Sequence, residues 1–243
     1  MYNGLDIQEI VRAGKASSML AVGDRWPVKL NEITVHNTLK IGGTVYVCLI
    51  GIDHNKSVET SGKSNVHLKF PYDADGKELC FLYLPMNLTN TNLGGYNQSY
   101  ACLTLMPRLK LLLPADWADA ITPCIKYSDI GPYDGVLGAD PADSMMEPKT
   151  VELFLLSLYE FCASGWHGYE QKYCKQYQYY KNGNSGTHYW DGDPTQKKDT
   201  WTRTTNCNSN NAQHFIGFGG NMMSGLHLAT TTGVGMAPGF SIS

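Results

Sequence analysis

Seven histidines and seven cysteines are the side chains in this 243-residue chain best suited to nucleophilic or metal chemistry. Their spacing assembles neither. The cysteines (48, 80, 102, 124, 162, 174 and 207) form no C-x-x-C or C-x-x-H pair, and no H-E-x-x-H occurs. An odd, scattered set of this kind reads as reduced thiols in a chain made in the cytosol, not as a zinc site or disulfide frame. The histidines (36, 54, 67, 167, 188, 214 and 227) are equally dispersed, and Asp53-His54 reads as the end of a strand. The run from Gly217 to Asn221 lacks the lysine of a phosphate loop and the spacing of a dinucleotide fingerprint, so it reads as a turn. Asp191-Gly-Asp193 offers oxygen ligands to calcium but lacks the EF-hand pattern, and a structural turn is the expectation. No catalytic residue, cofactor or metal follows from these patterns.

Such residues need a scaffold, and the composition supplies one. Apolar residues make up 42% of the chain and charged ones 17%, enough to bury a core and too apolar for disorder. The formal net charge is −3, with Lys197-Lys198 only a pair, which argues against a nucleic-acid partner. No apolar run approaches the roughly 20 residues of a membrane span, so no membrane insertion is expected. The N-terminus lacks the basic-then-apolar form of a secretory signal.

In chain order, Ile7, Ile10 and Val11 predict a short helix over about 5–13. Strand signals follow at 26–30, 33–36, 43–53, 67–70 and 79–84, the third strongly β-branched. Ala101, Leu105, Leu109 and Leu112 predict a helix within 99–113, ended by Pro114, with a second short helix over 115–120. A strand over 122–127, a buried strand over 151–157 and a helix or turn over 158–162 complete the regular part. Tyrosines at 169, 173, 177, 179, 180 and 189, with Trp166 and Trp190, form either a stacking platform or a partly buried, hydroxyl-bonded wall. Asn92-Leu-Gly-Gly-Tyr96 reads as a turn before a helix. The expectation is one α+β domain over 21–243 with long loops, preceded by an arm over 1–20 for attachment or oligomerisation.

The last forty-odd residues organise the rest. From Thr200 to Ser243, Arg203 is the only Asp, Glu, Lys or Arg, and asparagine recurs at 206, 208, 210, 211 and 221. Gly, Asn and Thr are poor helix formers, so short strands joined by turns are expected. A nearly uncharged segment rich in amide, aromatic and Met side chains suits a recognition surface. A Gly-rich hairpin that merely closes a sheet suits it equally.

Several pieces together resemble a recurring domain of uncharacterised proteins from gut bacteria and their phages. They are Gly14-Lys-Ala16 with Val22-Gly-Asp24, Gly94-Gly-Tyr96 before a helix ending near Leu113-Pro114, and Val151-Glu-Leu-Phe-Leu-Leu-Ser157. Trp201-Thr-Arg-Thr204 and the closing Gly233-Val-Gly-Met-Ala-Pro-Gly-Phe-Ser-Ile242 complete the likeness, which spans most of the chain. Thr204-Thr205 stands where that family commonly shows Ser-Pro, and Gly235-Met236 where many members carry Arg. The resemblance implies a C-type-lectin-like fold related to formylglycine-generating enzymes, with small antiparallel sheets, two or three helices and long loops. It also implies kinship with the variable proteins of diversity-generating retroelements, whose C-terminal codons are rewritten at adenines. Asparagine codons are adenine-rich, and the variable region would be about 200–243.

On this resemblance the chain is expected to be a non-enzymatic receptor-binding protein of a phage tail tip. It would be made in the host cytoplasm, carried in the virion and often trimeric. Its partners would be a bacterial surface receptor, protein or glycan, and other tail proteins. Asn206, Asn208, Asn210, Asn211, His214, Asn221, Met222, Met223 and His227 would form the contact set. Trp201, Arg203, Pro238, Phe240 and Ile242 would be scaffold, with Arg203 semi-buried against Glu160 or Asp199. The alternatives are a structural virion or cell-surface subunit, and a formylglycine-generating-like oxidative enzyme. Cys207 matches no catalytic-cysteine motif.

Overall fold

The computed structural model describes residues 2–131, 145–163, 170–205, 212–216 and 222–243, with backbone alone for 212–216 and 222–226. The chain begins with α1 (Gly4–Arg12), whose capping box joins the Asn3 and Asp6 side chains to each other's backbone N–H groups. Ile7, Ile10 and Val11, three and four positions apart, lie on its inner side and are buried. A Cβ on Gly4 would meet the Asp116 carbonyl oxygen at 2.5 Å, so only glycine allows this close approach. Gln8 donates to the Ala120 carbonyl, and α2 (Ala16–Met19) tucks Ala16 and the following Leu20 inward. Residues 1–20, expected as an arm for attachment or oligomerisation, pack against the rest of the chain through α1, Ala16 and Leu20. The segment belongs to the core.

Strands β1 (Arg25–His36) and β2 (Leu39–Ile52) form a hairpin whose two-residue turn holds Asn37 in the left-handed region that such turns require. After α3 (Lys56–Glu59), β3 (Val66–Tyr72) pairs antiparallel with β2, and every residue of β3 is buried. Next come β4 (Glu78–Cys80), a π-helical turn over Ala101–Leu105, α4 (Met106–Lys110) and α5 (Ala115–Ala118). The π-helical start with Pro107 beside it explains why the helix expected within 99–113 is short.

Strands β5 (Cys124–Asp129) and β6 (Met146–Val151) pair with each other, and β7 (Leu153–Phe154) leads into α6 (Leu158–Cys162). Two further short helices, α7 (Glu170–Tyr173) and α8 (Gln178–Lys181), precede β8 (His188–Trp190) and β9 (Asp193–Lys198). The tail forms β10 (Thr200–Thr205), β11 (Ala212–Ile216), β12 (Met222–Leu228) and β13 (Gly239–Ile242).

Among the described residues the main sheet has eight strands, ordered β1-β2-β3-β4-β8-β9, with β13 pairing β3 and β7. The β4–β8 pair is parallel. The tail thus divides: β10, β11 and β12 make their own three-stranded sheet, while β13 returns to the centre of the molecule. The fold is α+β and mostly sheet. It departs from the expected small antiparallel sheets and two or three helices, because one sheet is large and the helices are short and more numerous. Among the described residues only α1 exceeds five residues, and shorter helices are stable through packing, not propensity.

Candidate functional site

Strand β10 is buried at every position from Thr200 to Thr205. Trp201 donates its backbone N–H to the Gly235 carbonyl, and Arg203 donates its own to the Leu156 carbonyl. The Arg203 side chain, 1% exposed, uses all its donors. Nε bonds the Tyr127 carbonyl, and Nη1 bonds the Leu155 carbonyl and Glu160 Oε2. Nη2 bonds Glu160 Oε1 at 2.8 Å and Cys174 Sγ. A forked guanidinium matched to a carboxylate is among the strongest protein hydrogen-bond arrangements. Arg203 thereby ties β10 to β5, to the segment after β7 and to α6.

Glu160 has a second task. Its Oε2 accepts the Ser157 backbone N–H while Ser157 Oγ accepts that of Glu160, which closes the capping box of α6. Lys126, on β5, completes the network by donating to Glu59 at 2.6 Å, Glu160 at 3.1 Å and the Tyr177 hydroxyl at 2.9 Å. That hydroxyl lies 2.7 Å from His67 Nδ1, and His54 stacks on the Tyr177 ring. Two cations thus face two carboxylates, all four side chains at most 2% exposed. Burial alone would raise Glu160, but the Arg203 and Lys126 charges outweigh it and hold its carboxyl well below the usual range. Burial pushes Glu59 up to about 7 and His54 down to about 3, and takes His67 well below its ordinary value.

Two further carboxylates hold the end of β10. Glu170 accepts from the Thr204 hydroxyl and the Tyr159 N–H, and Asp129 accepts from the backbone N–H groups of Thr205 and Gly131. Burial, reinforced by Glu170, pushes Asp129 up to about 7. Gly95 makes room for this corner, since a Cβ there would meet the Asp129 carbonyl oxygen at 1.8 Å. A separate buried group, Lys69 with Glu78, His188 and the Tyr180 hydroxyl, locks β3, β4, β8 and α8 together.

The chemistry open to these groups is positional. Burial pushes the thiols of Cys48, Cys80, Cys124 and Cys174 up to about 12, so they stay protonated and poorly nucleophilic. Glu59, His67 and Cys124, and likewise His54, Glu59 and Glu160, bring ligand atoms within 4.8 Å of one another. The Lys126 ammonium rests on both carboxylates and already supplies the cation a metal would bring. Of the tyrosine cluster, Tyr177 and Tyr180 take the wall reading, buried and bonded through their hydroxyls, while Trp166 and Tyr169 lie outside the described residues. Asp193 closes a turn by accepting from Thr195 and Gln196.

Of the expected scaffold, Trp201 is 1% exposed, Phe240 and Ile242 are fully buried, and Pro238 is buried beside them, its carbonyl accepting from Phe70. Of the expected contact residues, Asn206, Asn208, Asn210, Asn211 and Asn221 lie outside the described residues. His214, Met222 and Met223 stand on β11 and β12, with Met222 opposite Ile216 and Met223 opposite Phe215. Only His227 has a described side chain. It is half-buried, with Nε2 2.8 Å from Asp199 Oδ2 and its ring edge-on to Trp201. The two expected partners for Arg203 therefore split, with Glu160 on Arg203 and Asp199 on His227. The sequence reading missed Lys126, Glu59, Lys69 and Glu78. Their one signal is a lone lysine inside an otherwise apolar strand, at Cys124-Ile-Lys-Tyr and His67-Leu-Lys-Phe.

No protein-family model, no curated protein and no solved structure matches the chain.

Proposed function

We propose that the chain is a non-enzymatic ligand-binding protein that presents a replaceable contact surface, over about 206–227, on a fixed base. In this reading the fold is C-type-lectin-like, and the protein is a receptor-binding subunit at a phage tail tip, a homotrimer in the virion. The observation that carries it is the anchoring of β10. The strand that enters the asparagine-rich segment is buried throughout and held by Arg203, Thr204 and Thr205 on three buried carboxylates. A surface whose side chains change needs such a base, because exposed positions on a rigid scaffold tolerate substitution at about ±0.5 kcal/mol. The buried, protonated thiols of Cys48, Cys80, Cys124 and Cys174 favour this reading over an oxidative enzyme, while Cys207 lies outside the described residues.

Sequencing the neighbouring DNA tests the diversification. An adenine-rich near-copy of codons 200–243 beside a reverse-transcriptase gene supports it. An invariant 206–221 across isolates, with no such copy, counts against it.

A further inference from the structure

The tip of the β1–β2 hairpin, the segment around Tyr83 and the β8–β9 turn enclose a cleft lined by none of Arg203, Glu160, Lys126 or Glu59. Two adjoining cavities make it up. One of about 170 Å³ is lined by Leu39, Phe81, Tyr83, Trp190 and Asp191, among others. The second, of about 470 Å³, lies between Asn37, Lys40, Tyr83 and Thr232. Tyr83 borders both.

Three features of Tyr83 and Trp190 ask for an explanation. Tyr83 is 49% exposed, although a tyrosine ring is mostly apolar. Its φ is +64°, a left-handed backbone that bulky residues avoid, and its N–H is fixed on the Thr232 carbonyl. Its ring stands at 88° to that of Trp190, with centroids 6.2 Å apart, so the two make an open right-angled corner. Trp190 is held from behind by Cys80, Leu82 and Ala237. A Cβ on Gly192 would meet the indole at 2.7 Å, so glycine at 192 lets the turn lie against one part of that ring.

We propose that this corner binds a pyranose ring of a glycan. The C–H face of a sugar stacks on an aromatic side chain, and its hydroxyls need both acceptors and donors around the rim. The Asp191 carboxylate supplies acceptors, Lys40 supplies donors, and Asn37, Thr38 and Thr232 supply both. The shape also favours a small rigid ring over a protein surface, which needs a patch of about 800 Å² per partner. Rigid aromatic anchors with adaptable polar neighbours are economical for recognition because they lose little conformational freedom. The site is independent of the contact surface proposed for 206–227, and either can fail alone.

The test is saturation-transfer NMR on the full chain with methyl glucoside, methyl galactoside, methyl mannoside and methyl N-acetylglucosaminide. At least one pyranoside is expected to receive signal along one ring face. Tyr83→Gly, which suits the left-handed backbone, is expected to melt no lower than the parent while that signal drops at least tenfold. Gly192→Val, which displaces the indole, should weaken it in the same way. Absence of signal from all four pyranosides in the parent chain overturns the proposal and leaves the corner to a protein side chain. Signal that persists in Tyr83→Gly overturns it as well.

Discussion

Both oxygens of the Glu160 carboxylate are held by the Arg203 guanidinium, at 2.5 and 2.8 Å, with neither side chain more than 1% exposed. One carboxylate therefore caps α6, balances Lys126 and anchors the strand from which the asparagine-rich segment departs. The strand that leads into that segment is held by buried charges along its length.

Removing one partner should expose how much rests on this pair. Arg203→Met is expected to destabilise the domain by about 3–5 kcal/mol, because Glu160 stays buried with part of its charge uncompensated. Adding Glu160→Leu should recover part of that loss, although Ser157 then loses its cap acceptor. Urea unfolding of the single and double variants measures the coupling, and an Arg203→Met curve matching the parent would contradict it.

The N-terminal segment should behave as core. Ile7 is fully buried and Val11 is 2% exposed, in the cluster that also contains Trp117 and Phe240. Ile7→Ala is expected to cost about 2–5 kcal/mol, and a chain lacking 1–20 should fail to fold. A cooperative, unshifted melt of the truncated chain would restore the idea of a detached arm.

This segment also shows what a single sequence reveals. The helix was legible because Ile7, Ile10 and Val11 keep its period, and the β2 strand because Gly43–Ile52 is densely β-branched. The docking of α1 was not, since a Gly4 contact with Asp116 is set more than a hundred residues away. The scaffold role of Arg203 was readable from its isolation among uncharged neighbours. The inward lysines Lys126 and Lys69 were not, because only the folded chain shows that Glu59 and Glu160 meet Lys126 from distant elements and that Glu78 meets Lys69 from the next strand.

Stability should fall as pH rises through the range of Asp129. Its folded value, about 7, lies above the ordinary 3.8, so the folded state holds a proton that the unfolded state has released. The stabilisation is complete below about pH 4 and lost by about pH 7, at up to about 1.4 kcal/mol per pH unit. Glu160 acts in the opposite sense, its contribution being lost only as pH falls below the ordinary carboxylate range. His54 and His67, held below the ordinary histidine value, act against Asp129 below about pH 6.5, so the test is the variant: in thermal melts between pH 5 and pH 8, Asp129→Asn should lose less stability than the parent. A larger loss in the variant would contradict the assignment.

His227 should matter to recognition more than to folding. Its contact with Asp199 is one-third exposed on the histidine side, and exposed pairs contribute about 0.2–1 kcal/mol. His227→Ala is expected to lower stability by no more than that while weakening attachment to the host surface. Severe unfolding would place His227 among the scaffold residues.

The most direct measurement concerns the five asparagines together. Replacing Asn206, Asn208, Asn210, Asn211 and Asn221 by Ser is expected to leave the melting temperature of the purified chain within a few degrees of the parent. Adsorption of the same protein to host cells should be abolished, since contacts near an interface centre carry most of the affinity. Loss of folding, or adsorption undiminished, would contradict the account.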